Sequence, residues 1–123
     1  MKKKSLLLID NSLVLMDITG RILERAGFSV RCALGCGEAR EYLLDFSPEV
    51  IILENNLPDG NGLEFCKELH EKNNAPIMFT SDNKDDELPA LKAGASDYMK
   101  KPFDHEIMKV RINILLEMSA SQQ

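Results

Sequence analysis

No stretch of the sequence approaches the roughly 20 apolar residues that a membrane-spanning helix needs, so a spanning segment is excluded. Lys2-Lys3-Lys4 precedes an apolar run, but Leu6 to Ile9 is far too short for the apolar region of a secretory signal. Cysteine is scarce and odd in number. Cys32, Cys36 and Cys66 match no zinc or redox spacing, which leaves a reduced, cytoplasmic chain as the expectation. Positive charge is in the minority, with 15 Lys plus Arg against 20 Asp plus Glu for a formal charge of -5. That balance argues against a nucleic-acid surface, so any DNA contact would belong to another domain. His70 and His105 stand alone at positions that fit exposed helix surface, which argues against a catalytic or metal role. A phosphate cradle is missing too: from Asp10 to Asp17 there is no glycine and no run of hydroxyls.

What is present is one domain's worth of alternating signals. A length of 123 residues suffices for a single buried core, and no linker, repeat or low-complexity stretch divides it. Residues 1–118 read as the domain and 119–123 as a tail or the start of a linker. Short apolar runs at Leu6-Leu7-Leu8-Ile9, Ser29 to Ala33, Val50-Ile51-Ile52-Leu53, Ile77-Met78-Phe79 and Tyr98-Met99 read as strands. Between them lies helical periodicity. Leu15, Ile18, Ile22 and Ala26 share a face, with Ser12 as cap and Gly27 as stop. Ala39, Tyr42, Leu43 and Phe46 mark a second helix ended by Pro48, and Leu63, Cys66 and Leu69 a third, with Cys66 in the core. Asp85-Asp86-Glu87 is a solvated helix start, and Pro89 is tolerated only in a first turn, so the fourth helix begins late. Asp104 caps a fifth helix with Ile107, Val110, Ile114 and Met118 on one face; Met78, Met99, Met108 and Met118 read as core or partner-face filler. The alternation predicts an α/β flavodoxin-like (βα)5 fold, a five-stranded parallel sheet in the order 2-1-3-4-5 with helices on both faces.

Each strand runs into polar residues at its carboxyl end, where ligands gather in open parallel sheets. Glu54 is the most conspicuous, because a carboxylate there is costly to desolvate unless a cation or donor meets it. With parallel strands, Asp10, Glu54, Ser81 and Lys101 can converge on one edge. Gly35-Cys36-Gly37 has the start of a dinucleotide fingerprint, yet it follows the second strand and carries Arg40 at the third glycine position. A turn is expected there, and an enzyme or nucleotide binder on this scaffold is the less favoured function.

Leu8-Ile9-Asp10-Asn11, Leu57-Pro58-Asp59-Gly60, Pro76 to Ser81, Ala93-Gly94-Ala95-Ser96-Asp97-Tyr98 and Lys101-Pro102-Phe103 together resemble the receiver domain of bacterial two-component response regulators, over essentially the whole chain. The resemblance implies a phosphorylation switch. A kinase histidine passes a phosphoryl group to an aspartate ending the third strand, with a magnesium ion held beside the first loop. Matched by position, Lys101 and Ser81 are the phosphate-contact residues and Tyr98 is the aromatic that changes rotamer. Asp10, Asn11 and Asp82 make the acidic pocket, and Asp10, Glu54 and Asn56 are the metal positions.

The departures fall on the chemistry. Glu54 replaces the phosphoacceptor aspartate, Asn11 the second acid of the first loop, and Asp82 a small residue. Magnesium wants octahedral oxygen ligands and relies on one or two carboxylates, so binding should be weak if it occurs at all, and no other cofactor is expected. Asp82 would repel incoming phosphoryl oxygens. The expectation is therefore an atypical receiver with no catalytic residue of its own, acting by protein-protein interaction. Glu54 then either mimics the phosphorylated state through Lys101 or forms a structural ion pair with it. A conventional phosphorylatable receiver is the alternative. Implied partners are a sensor histidine kinase, an output domain or another regulator. Lys92, Asp97, Tyr98, Lys100 and Arg111 form the expected partner face. Because Pro89, Lys92 and Asn113 do not complete the family's charge network, any homodimer through it should be weak.

Overall fold

The computed structural model describes residues 2–121. Five strands, β1 (Lys4–Ile9), β2 (Phe28–Ala33), β3 (Val50–Glu54), β4 (Ile77–Ser81) and β5 (Asp97–Lys100), alternate with five helices. These are α1 (Leu13–Arg25), α2 (Cys36–Tyr42), α3 (Gly62–Lys72), α4 (Glu87–Lys92) and α5 (His105–Ser121). The strands form one parallel sheet in the order 2-1-3-4-5. A separate short antiparallel hairpin, Asn56–Leu57 against Gly60–Asn61, lies inside the β3–α3 loop.

Both faces of the sheet are covered, which is why its central strands read as unbroken apolar runs. Side chains alternate along each strand. Leu7, Ile9, Ile51, Leu53, Ile77 and Phe79 meet α2, α3 and α4 through Ala39, Phe65, Leu69 and Ala90. Leu6, Leu8, Val50, Ile52, Met78 and Met99 meet α1 and α5 through Met16, Leu23, Met108, Ile112 and Leu115. Cys66 is fully buried in the first cluster, as its neighbours predict.

The helix ends follow local chemistry. Ser12 Oγ accepts from the Leu15 N–H at 3.2 Å, and Gly27 adopts φ +102 past the end of α1. Asp104 Oδ1 caps α5 at 2.7 Å from the Glu106 N–H, and Pro89 lies in the first turn of α4 after a 3₁₀ turn at Lys84–Asp86. The second helix ends earlier than Pro48 predicts. After Tyr42 the chain tightens, with Leu44 N–H donating to Glu41 O and Asp45 N–H to Tyr42 O, so Leu43 and Phe46 fold back onto the core.

The predicted apolar faces of the outer helices are offset. Ile107, Val110, Ile114 and Met118 of α5 are about half exposed, and Met108, Ile112 and Leu115 make the core instead. In α1, Leu15 and Ile18 are over 40 % exposed, whereas Met16, Thr19, Gly20 and Leu23 are buried. Both helices carry apolar residues on more than one face, and a 3.6-residue period cannot say which face the sheet takes. Residues 119–121, assigned to the tail from sequence, continue α5; Gln122 and Gln123 lie outside the described residues.

Candidate functional site

Strands β1 and β3 pair with Ile9 opposite Leu53, so the residues that follow, Asp10 and Glu54, emerge side by side at the carboxyl edge. The strand order reverses between these two strands, which is where such sheets open a crevice. Both acids are nearly buried, at 6 % and 5 % exposure. On the other side, Ser81 ends β4 opposite Lys100, and the Lys101 N–H donates to Ser81 O at 2.7 Å. That bond aims the Lys101 side chain back across the sheet edge.

Lys101 Nζ lies 2.9 Å from Asp10 Oδ2 and 3.0 Å from Glu54 Oε1. The ion pair with Glu54 expected from sequence is therefore present, but the ammonium bridges two carboxylates. The remaining oxygens are occupied by backbone. Asp10 Oδ1 accepts from the N–H groups of Asn11 at 2.7 Å and Ser12 at 3.2 Å, and Glu54 Oε2 from Asn55 at 2.7 Å. Burial pushes the Glu54 carboxyl above its usual range; Lys101 and the Asn55 N–H pull it back only in part, and Asp10 adds to the rise. Burial pulls the Lys101 ammonium down, yet Asp10 first and Glu54 second outweigh it and leave the group raised. The directions agree once Asp10 is seen as the main anchor of the lysine and Glu54 as the partner that bears the desolvation.

Ser81 does not join this cluster. Its Oγ lies 2.6 Å from the Tyr98 phenol oxygen and donates to Asn83 O at 2.9 Å, while the Asn83 N–H donates back at 3.2 Å. The two hydroxyls hold two protons between them, shared among Ser81, Tyr98 and the Asn83 carbonyl. Tyr98 OH is also 2.7 Å from Asn83 O, and its ring stacks on Phe79 at 6.3 Å between centroids. Desolvation raises the phenol, the Ser81 bond opposes this, and Asp86, Glu87 and Glu54 add to the rise. Convergence at the edge thus holds for Asp10, Glu54 and Lys101, with Ser81 turned to a separate hydroxyl cluster.

Asn11, Asn56 and Asp82 are exposed around the rim. Of the expected partner face, Lys92, Lys100 and Arg111 are exposed, and Asp97 is half-buried 3.8 Å from Arg111 Nη1. Tyr98 is not on that face. At 5 % exposure it belongs to the core, because inward rotation lets its ring fill the space beside Phe79 and its hydroxyl meet Ser81. His70 is exposed as predicted, but His105 is half-buried with Nε2 3.1 Å from the Oγ1 of buried Thr19. Its exposed placement is corrected because α5 turns that side toward α1.

A further contact stabilises the loop after Glu54. Asp59 Oδ1 accepts from the Cys36 N–H at 2.8 Å and Oδ2 from the Gly37 N–H at 2.9 Å, which hold the carboxyl below its usual range. Gly35-Cys36-Gly37, expected as a turn, is the start of α2 and cradles the chain's own carboxylate. A Cβ on Gly35 would sit 2.5 Å from Asp59 Oδ1, and one on Gly62 would sit 2.5 Å from Asn55 Cα. Both glycines permit the close approach that fixes the loop.

The chain matches the family model described as the response regulator receiver domain over residues 6–113. It is 32 % identical over 118 residues to the aerobic respiration control protein ArcA of Escherichia coli K12, covering 94 % of this chain and 50 % of that protein. It is 30 % identical over 112 residues to the response regulator protein GraR of Staphylococcus aureus JH9, covering 89 % and 50 %. The chain therefore spans about half the length of these relatives. A two-component response regulator from Clostridium difficile superposes with TM-score 0.89 at 28 % identity, covering 94 % of this chain and 97 % of that one. A CheY-like receiver domain protein from Methanospirillum hungatei JF-1 shares the fold at TM-score 0.93 and 22 % identity, covering 99 % and 100 %.

Proposed function

This chain belongs to the response regulator receiver domain family, and from that premise we propose that it acts as a protein-interaction module of two-component or phosphorelay signalling whose phosphoryl switch is bypassed. One observation carries the reading: the Lys101 ammonium is within 3.0 Å of both Asp10 and Glu54, so it is already paired with both buried acids. Phosphoryl transfer depends almost wholly on positioning and charge neutralisation. Glu54 carries its carboxyl one methylene beyond an aspartate's, Asn11 contributes no charge, and the Ser81 hydroxyl is engaged by Tyr98 and Asn83.

The donor set is also a poor fit to magnesium. That ion takes oxygen ligands in near-ideal octahedral array, one or two of them free carboxylate oxygens. Asp10 and Glu54 each have one oxygen on Lys101 and the other on backbone N–H groups. Among the described residues no three or more His, Cys, Asp or Glu side chains group in a way that could hold a metal. Weak or no magnesium binding is part of the proposal, and no step is routed through it. Glu54 serves as a structural ion pair, since a single carboxylate charge is a poor copy of a phosphoryl group.

The module would work in the cytoplasm, on a sensor histidine kinase, an output domain or another regulator, with no chemistry of its own. No described helix is long and apolar enough to cross a membrane. The proposed partner face combines Lys92, Asp97, Lys100 and Arg111 with apolar residues that the fold leaves outside. On α5, Ile107 and Ile114 flank Arg111 at helical spacing, and Leu88 and Leu91 are exposed on α4. Charges there steer and orient, while the apolar residues supply area.

The test is incubation with magnesium and a small phosphoryl donor, followed by intact mass. The expected result is no change. A stoichiometric, acid-labile phosphoryl adduct would overturn the bypass and leave a conventional receiver.

A further inference from the structure

A cavity of about 280 Å³ opens beside Lys101, between α1 and the β5–α5 loop. Its apolar walls are Leu15, Pro102 and Phe103, and Asp10, Asp82 and Lys101 supply its charge. The far wall is fixed in place. His105 is held by buried Thr19 through the 3.1 Å contact, and Phe103 meets the His105 ring edge-on at 5.4 Å between centroids. Preorganised walls reduce the ordering cost of a ligand. An apolar pocket with a few convergent polar groups is the ordinary form of a small-molecule site.

The charge decides which molecule fits. Two carboxylates border the cavity against one ammonium, and that ammonium is already shared between Asp10 and Glu54. An anion would meet a surplus of negative charge. A cation would meet the exposed Asp82 carboxylate beside the apolar walls. We infer that this cavity binds a small amphiphilic organic cation, an aryl- or alkylamine, with its apolar body against Leu15, Pro102 and Phe103 and its ammonium directed to Asp82. The cavity shares Asp10, Asp82 and Lys101 with the edge described above but not Glu54, so the assignment rests in part on that reading, and amine binding is measured separately from phosphoryl uptake.

The experiment titrates 2-phenylethylammonium into the ¹⁵N-labelled full chain and follows backbone amide shifts, with 2-phenylethanol and phenylacetate as neutral and anionic counterparts. Saturable shifts at Leu15, Thr19, Phe103 and His105 are expected with the amine, weaker ones with the alcohol, and none with the acid. Asp82→Asn should weaken amine binding about 5-fold, the scale of one exposed charge pair. Leu15→Lys, at a position 41 % exposed, should abolish it while the rest of the spectrum keeps its folded dispersion. Equal or tighter binding of phenylacetate, or unchanged amine shifts in Leu15→Lys, would overturn the assignment. Tighter binding of N-acetylarginine amide than of the amine would overturn it in favour of a basic side chain from a protein.

Discussion

The hydroxyl oxygens of Ser81 and Tyr98 lie 2.6 Å apart, and both also reach the carbonyl of Asn83. Two residues 17 apart in sequence are thereby joined to the β4–α4 loop through one carbonyl. The hydroxyl and the aromatic that the resemblance assigns to the phosphoryl switch are thereby bonded to each other and to Asn83 O.

Tyr98→Phe should cost about 1 kcal/mol, the net worth of a buried hydrogen bond, and Ser81→Ala a similar amount. The double variant should lose less than the sum, with a coupling of about 0.5 kcal/mol or more between contacting groups. Denaturant melts of the four proteins measure it; strict additivity would show that the contact carries no energy.

The phenol gives a pH signature. With Tyr98 raised in the folded state, its contribution is fully present below the unfolded tyrosine value of about 10 and is lost as pH rises through the folded value. Ultraviolet titration of a Tyr42→Phe background, which leaves Tyr98 as the only tyrosine, should show ionisation above the ordinary range.

Lys101→Met leaves two buried carboxylates facing each other, at the low end of the roughly 3 to 5 kcal/mol seen when a buried pair loses a partner, because the lysine side chain is 16 % exposed. The cost should shrink in a Glu54→Gln background, and melts that add strictly would refute the coupling. Glu54 alone has the opposite sign from a simple salt bridge. Its raised carboxyl contributes stability that is present below the unfolded value of about 4.3 and lost as pH rises through the folded value. Glu54→Gln should therefore compare more favourably with the wild type at pH 7 than at pH 4. Lys101, also raised, holds its contribution below about 10.4 and loses it as pH rises through the folded value.

Restoring the phosphoryl chemistry should need more than one residue. Glu54→Asp by itself is expected to take up little from a small donor, whereas adding Asn11→Asp and Asp82→Ala raises uptake substantially. Equal uptake by the single and triple variants would show that metal affinity and repulsion do not limit the site.

Two substitutions two residues apart separate the faces of α5. Met108→Ala empties a fully buried position and should cost about 2 to 5 kcal/mol. Val110→Lys, at a position 59 % exposed, should stay within about 0.5 kcal/mol. Comparable losses in thermal melts would mean that α5 is rotated from the face described.

Much of the fold was legible because its signals are local. Ser12, Gly27, Asp104 and Pro89 set helix ends through contacts within a turn, and alternating apolar runs with short connections lead to a parallel sheet by handedness alone. Asp10, Glu54 and Lys101 could be placed at one edge, since strand ends must share it in that topology.

Direction and partnership were not legible. The sequence shows that α1 and α5 are apolar on more than one side; only packing against β1 and β3 decides that Met108 goes in and Ile107 stays out. It lists Ser81, Tyr98 and Lys101 as candidates for one site, but whether Ser81 turns to Glu54 or to Asn83 depends on side-chain rotamers a fraction of a turn apart. Asp59 reaching Cys36 and Gly37 across 23 and 22 residues is of the same kind. By itself the sequence determined the strand order, the caps and the family, because periodicity and turn chemistry act over a few residues. The tertiary structure decided which polar groups satisfy one another, because a buried donor takes whichever acceptor the packed core brings within about 3 Å.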